Sequence, residues 1–243
     1  DRPRKRTGRR HDRIARPVTG TLLRRRTAVL ISGRGSNMTA LIEAARDPAY
    51  PAAIELALSN RPDAPGLARA SAEGLATACV DHRAFADRES FEHAVQAQLD
   101  ERRIDLVVLA GFMRVLTPWF IARWDGRLIN IHPSLLPAFR GLHTHERAIE
   151  AGVRIHGATV HFVVPELDAG PIIAQAAVPV DPADTPDTLG ARVLEAEHRL
   201  YPHALALVAS GRLELNDGRV RGIAGLSPPG AMLVVPPTDV LPR

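Results

Sequence analysis

Thr27-Ala-Val-Leu-Ile-Ser-Gly-Arg-Gly-Ser-Asn37 is the stretch from which the architecture follows. An apolar, β-favouring run ends at Gly33, and a tight loop follows. Met38, Leu41, Ile42 and Ala45 then recur at helical spacing, so the segment reads strand, loop, helix. Working outward, Ile54–Ser59 is a second strand, stopped by Asn60-Arg-Pro-Asp-Ala-Pro-Gly66, then come a short helix over Leu67–Gly74 and a third strand over Ala76–Val80. Phe91, Val95 and Leu99 step by four through a charged helix, Arg88–Arg103. Ile104–Ala110 is continuously apolar, which predicts a strand buried on both faces. Thr117-Pro118 reads as N-cap and first residue of a short helix ending at Trp124, and Arg127–His132 is the next strand. The βα alternation predicts an α/β single domain with an open, mostly parallel, doubly wound sheet. Beyond it, Ala158–Val164 and Ile172–Val180 are strands, and Thr188–Ser210 is a long helix carrying Pro202 within it.

Composition limits what such a domain does. With 45% hydrophobic residues in 243, the chain can bury a substantial core. At 4% aromatics it is poorly supplied with base-stacking platforms. The single cysteine, Cys79, excludes an intrachain disulfide and a cysteine-built zinc cluster. No apolar run approaches the ~18 residues that span a bilayer, and the arginine-rich front lacks the apolar core of a secretory signal. Residues 1–26 hold ten Arg and one Lys against two Asp, so the rest is net acidic although the whole chain is +4. The expectation is a basic, disordered extension (1–26), a catalytic domain (27–213) and a C-terminal hairpin and tail (214–243). The folded body is then a cytoplasmic protein that engages no membrane and is ill suited to nucleic acid.

Two segments carry chemistry. Gly33-Arg-Gly-Ser-Asn37 lies between strand and helix, where backbone N–H groups converge on an anion and where Ser36 or Asn37 can cap the helix. It lacks the Lys-Ser/Thr of a Walker loop and the third glycine of a dinucleotide fingerprint. Leu128-Ile-Asn-Ile-His-Pro-Ser134 is the denser one. Residues two apart on a strand share a face, so Asn130 and His132 project together at the carboxyl end of a strand that Pro133 terminates. An amide and an imidazolium are both donors, suited to an oxygen that becomes negative in a tetrahedral intermediate. With a reference pKa of roughly 6.5, the imidazole needs a carboxylate neighbour to carry charge at neutral pH. Asp168, beside Gly170, and Glu166 both offer one, and spacing does not choose between them. Ser134 lacks a nucleophile-elbow context, and His143 with His145 makes a weak metal site without an acidic partner at ligand spacing.

Leu30–Asn37, Leu109-Ala-Gly-Phe-Met-Arg-Val-Leu116, Asn130-Ile-His-Pro-Ser-Leu-Leu-Pro137, Gly157-Ala-Thr-Val-His-Phe162 and Asp168-Ala-Gly-Pro171 together resemble the phosphoribosylglycinamide formyltransferases, folate-dependent enzymes of purine biosynthesis with a Rossmann-like fold. The resemblance runs in order from about Thr27 to Arg212. It implies 10-formyltetrahydrofolate as co-substrate, glycinamide ribonucleotide as formyl acceptor and no metal. The sequence leaves the oligomeric state open, a homodimer included. By the same resemblance Asn130, His132 and Asp168 are the catalytic trio. Gly35, Ser36 and Asn37 meet the ribose phosphate, and Glu197 meets the ribose. Met113, Arg114, Val115 and Leu116 line the pterin pocket through their backbone, Asn130 also meets the folate, and Arg88 stands near the folate's outer end. Methionyl-tRNA formyltransferases are similar but carry a C-terminal barrel for which the residues after the last helix are too few. Formyltetrahydrofolate hydrolases carry a regulatory domain in front.

Overall fold

The computed structural model describes residues 24–216 and 218–221. Most of the expected basic extension and of the C-terminal tail lies outside the described residues. In chain order the elements are β1 (Arg25–Ile31), α1 (Ser36–Ala45), β2 (Ala52–Ser59), α2 (Pro65–Ala72), β3 (Thr77–Cys79), α3 (Arg88–Glu101), β4 (Leu106–Leu109), α4 (Pro118–Arg123), β5 (Leu128–His132), α5 (Thr144–Glu150), β6 (Ile155–Phe162), β7 (Ile172–Pro179), α6 (Pro186–Ala209) and a hairpin of β8 (Glu214–Asn216) and β9 (Arg219–Arg221). A single 3-10 turn, His82–Ala84, precedes α3.

Seven strands form one sheet in the order β3-β2-β1-β4-β5-β6-β7. The first five in that order are parallel, while β6 runs antiparallel to β5 and β7 to β6. From β1 the chain winds outward to β2 and β3, then returns to place β4 on the other side of β1. The carboxyl ends of β1 and β4 therefore flank the point where winding reverses, the crevice in which open α/β sheets bind ligands. Both faces of the sheet are covered, which explains the unbroken apolar runs. Val29 and Ile31 pack with Met38 and Leu41 of α1 and with Leu189, Val193 and Tyr201 of α6. Ala28 and Leu30, one residue out of phase, pack with Phe91, Val95 and Leu99 of α3 and with Phe120 and Trp124.

Local signals account for the helix starts. The Thr117 hydroxyl accepts from Phe120 N–H, with Pro118 in the first turn of α4. Thr185 and Thr188 cap α6 reciprocally, Thr188 N–H to Thr185 Oγ1 at 3.2 Å and Thr185 N–H to Thr188 Oγ1 at 2.9 Å. The helix continues through Pro202. Tyr201 crosses from it to the sheet, its hydroxyl 2.7 Å from the Leu109 carbonyl and 3.3 Å from that of Ile129.

Three differences from the sequence reading are instructive. The first strand starts at Arg25 rather than Thr27: Arg25 and Arg26 pair with Ala52 and Ala53, Arg26 meets Glu55 at 3.2 Å, and Arg24 donates to the Ala52 carbonyl. Arginines fit there because that end of the strand reaches the surface. Helix α5 has no sequence signature, since it buries only Thr144 and Ala148 and so lacks an apolar stripe. Neither Ser36 nor Asn37 caps α1; its N-cap is Gly35 in the left-handed region, with no side-chain cap. Among the described residues no helix is long and apolar enough to cross a membrane.

Candidate active site

The pleat of β5 presents Asn130 and His132 on one face, as two-residue spacing requires. The His132 ring is 7% exposed and faces polar groups rather than the apolar interior. Its Nε2 donates to the Phe139 carbonyl at 2.9 Å, and its Nδ1 lies 3.5 Å from Asp168 Oδ2. A carbonyl only accepts, so Nε2 carries a hydrogen, and any proton on Nδ1 lies toward Asp168. Between the two carboxylates the geometry chooses: Glu166 turns outward to Arg140 at 3.0 Å, 73% exposed, whereas the Asp168 side chain is 8% exposed.

A left-handed turn delivers Asp168. Its φ is +49°, a region Asp tolerates better than most residues. The carboxylate is held by Gly141 N–H, 2.8 Å from Oδ2. Gly170 closes the turn so tightly that a Cβ there would sit 1.7 Å from the Phe162 carbonyl oxygen, which only glycine permits.

His161 joins this group, and sequence reasoning assigned it no role. The antiparallel register sets it opposite Asn130. Its Nδ1–H donates to the Phe162 carbonyl at 2.9 Å, leaving Nε2 to accept from Asn130 Nδ2 at 3.3 Å, with Asp168 Oδ1 3.9 Å away. Burial holds this imidazole below its ordinary pKa, which favours the neutral acceptor form. Asn130 is thus oriented by one amide hydrogen and keeps the other. The signal was a strand histidine in Gly157–Phe162, but only strand pairing says whom it faces. His143 and His145 part company: His143 is exposed beside Glu146 at 3.6 Å, and His145 meets the His156 ring at 3.3 Å. Ser134 is buried with its hydroxyl donating to the Ala138 carbonyl.

Beside the trio, Gly33–Asn37 and Ala110–Gly111 line a cleft of about 140 Å³ at the N-terminus of α1. Gly35 has φ +71°, and a Cβ on it would meet Met38 Cε at 2.9 Å. An uncapped helix start leaves backbone N–H groups for an anion, aided by the helix dipole. Asn37 turns away to α6, its Nδ2 donating to Glu197 Oε2 at 2.7 Å, while its Oδ1 is buried and has no hydrogen-bond partner among the described residues. Burial pushes the Glu197 carboxyl above its ordinary pKa. The structure therefore brings Gly35, Ser36, Asn37 and Glu197 to one place.

The register Leu109↔Asn130 leads directly from the trio to the next loop. There Phe112 and Leu116 are buried in the core, while Met113 and Val115 are 65% and 57% exposed. Apolar burial claims the Leu116 side chain, so only its backbone can face a ligand. Among the described residues Arg114, Val115 and Leu116 make no backbone hydrogen bond to the protein. That strip of unpaired donors and acceptors suits the edge of a polar heterocycle. Arg114 lies over the Phe91 ring, and Arg88, exposed, opens α3 next to it.

Comparison with known proteins adds to this geometry. The formyl transferase family model matches residues 25–205. Phosphoribosylglycinamide formyltransferase of Escherichia coli (strain K12) is 47% identical over 189 residues, covering 78% of this chain and 89% of that protein. The human trifunctional purine biosynthetic protein adenosine-3 is 48% identical over 192 residues, and the chain spans only 19% of its length. The crystal structure of phosphoribosylglycinamide formyltransferase from Brucella melitensis is 54% identical, with a TM-score of 0.75, covering 77% of this chain and 97% of that one.

Proposed function

The chain belongs to the formyl transferase family, and from that premise we propose that it moves the formyl group of 10-formyltetrahydrofolate onto the amine of 5′-phosphoribosylglycinamide, giving formylglycinamide ribonucleotide and tetrahydrofolate in purine biosynthesis. The observation that carries the reading is the convergence of Asn130, His132 and Asp168, with His161 behind them. The phosphate of the acceptor meets the backbone N–H groups of Gly35, Ser36 and Asn37, and Glu197 takes its ribose. The unpaired backbone from Arg114 to Leu116 fits the folate ring, and Arg88 lies toward the outer end of the same ligand. The catalytic unit is residues 27–213 with the two strand arginines before it, and the reaction is placed in the cytoplasm.

In this mechanism the amine attacks the formyl carbon and its oxygen gains negative charge. The free amide hydrogen of Asn130 meets that oxygen, and a hydrogen on His132 Nδ1 is shared between the oxygen and Asp168 Oδ2, 3.5 Å away. Asp168 orients the ring and offsets the charge it shares. One proton leaves the attacking nitrogen and one arrives at N10 through water as the C–N10 bond breaks. Nothing in this sequence of events needs an acyl-enzyme or a metal.

The test is an assay of purified protein with 10-formyltetrahydrofolate and glycinamide ribonucleotide. Formyl transfer that depends on the amine is expected. Loss of formyl folate without the amine would mark a hydrolase, and no loss at all would overturn the reading.

A further inference from the structure

The segment Met113–Leu116 has no regular structure, yet buried side chains from outside tie down both of its ends. At the front, Ser32 donates its backbone N–H to the Gly111 carbonyl at 3.1 Å, and its Oγ accepts from Met113 N–H at 2.8 Å. The same hydroxyl gives its hydrogen to Asn60 Oδ1 at 2.6 Å, which turns a lone pair toward Met113. At the rear, Glu92 of α3 is 1% exposed. One of its carboxylate oxygens accepts from Thr117 N–H at 2.7 Å and the other from the Thr117 hydroxyl. A carboxylate so deep is costly unless it is hydrogen-bonded, and among the described residues both of its bonds go to Thr117. The grip at each end is polar and directional, unlike the apolar contacts that hold Phe112 and Leu116. Between the grips runs the strip of unpaired backbone.

We propose that Ser32 and Glu92 are positioning residues that touch no reacting atom but set the Met113–Leu116 backbone at the spacing the folate ring requires. This rests on the reading that the strip receives formyl folate. An unpaired backbone edge binds tightly only when it is held in its bound shape beforehand, because ordering it on binding costs affinity. Losing either grip therefore weakens binding of one substrate and leaves the reacting groups on β5 where they are.

The experiment is steady-state kinetics on wild type, Ser32→Ala, Glu92→Met and Glu92→Gln, varying each substrate in turn, with melting temperatures in parallel. Ser32→Ala and Glu92→Met are expected to raise KM for 10-formyltetrahydrofolate by about five- to tenfold, the effect of one or two hydrogen bonds. Their kcat and KM for glycinamide ribonucleotide should stay within about twofold of wild type. Glu92→Gln, whose amide oxygen can still accept from Thr117 N–H, should recover most of the folate KM. An unchanged folate KM, or a fall in kcat and melting temperature with both KM values intact, would overturn the proposal and leave a purely structural role. If Glu92→Met does not fold, Ser32→Ala, which removes a single oxygen, decides alone. Wild type that transfers no formyl group would instead sink the proposed function, so the two failures are distinguishable.

Discussion

Because the Nε2 hydrogen of His132 is committed to the Phe139 carbonyl, only the Nδ1 edge of the ring is left for the proposed reaction, and Asp168 faces that edge at 3.5 Å. In the proposed mechanism Asp168 acts on that nitrogen, and His161 does the corresponding work for Asn130. Donors aimed in advance at a developing oxyanion are typically worth ~3 kcal/mol each, about a hundredfold or more in rate. We expect His132→Ala and Asp168→Asn to lose at least that factor in kcat. The asparagine keeps an oxygen for Gly141 N–H and tolerates the positive φ at position 168, so circular dichroism and melting temperature should barely move. Near-normal turnover by either folded variant would remove the residue from the mechanism.

Elements, rather than single side chains, set the pH behaviour of the site's flank. The start of α5 rests against β6 through two imidazoles, His145 Nδ1 and His156 Nε2, 3.3 Å apart. Burial, with the neighbouring His145 charge adding to it, takes His156 down to about 4. His145 is lowered as well, again first by burial. Above the unfolded-state value near 6.5 both states are neutral and nothing is lost. As pH falls from there toward 4, the unfolded chain takes up a proton that the folded chain refuses, so stability declines, by about 3 kcal/mol for His156 at the bottom of the window. Melting temperatures measured from pH 7.5 to 4.5 should fall across this range. His156→Asn, which does not titrate, should flatten the slope, and an unaltered slope would show that the acid sensitivity lies elsewhere.

Over the whole molecule, one long helix holds the site-bearing strands in register. Tyr201 of α6 is fully buried and donates to a carbonyl at the end of β4 and faces another on β5, the two strands that lead into the loop proposed to take the folate and that carry Asn130 and His132. Tyr201→Phe removes the donor from the buried Leu109 carbonyl and should cost about 1–3 kcal/mol, read as a lower urea midpoint at unchanged m-value. An unchanged midpoint would mean that the ring's packing does the holding and the hydroxyl nothing. Much of this architecture is legible in the chain itself. Apolar runs ending at glycine or proline, helical spacing after Asn37, and a polar pair at one strand's end depend on neighbours two to four residues apart, and such short-range patterns survive in any context. The resemblance to a known family rests on the same local strings. What the chain alone leaves open is every choice that depends on distant segments meeting: Asp168 over Glu166, His161 opposite Asn130, Asn37 toward Glu197 rather than its own helix, Leu116 into the core. Those are decided by the antiparallel return of β6 and β7 and by the packing of α6 across the sheet, because partner identity there follows from strand register and backbone closure, which no local spacing encodes.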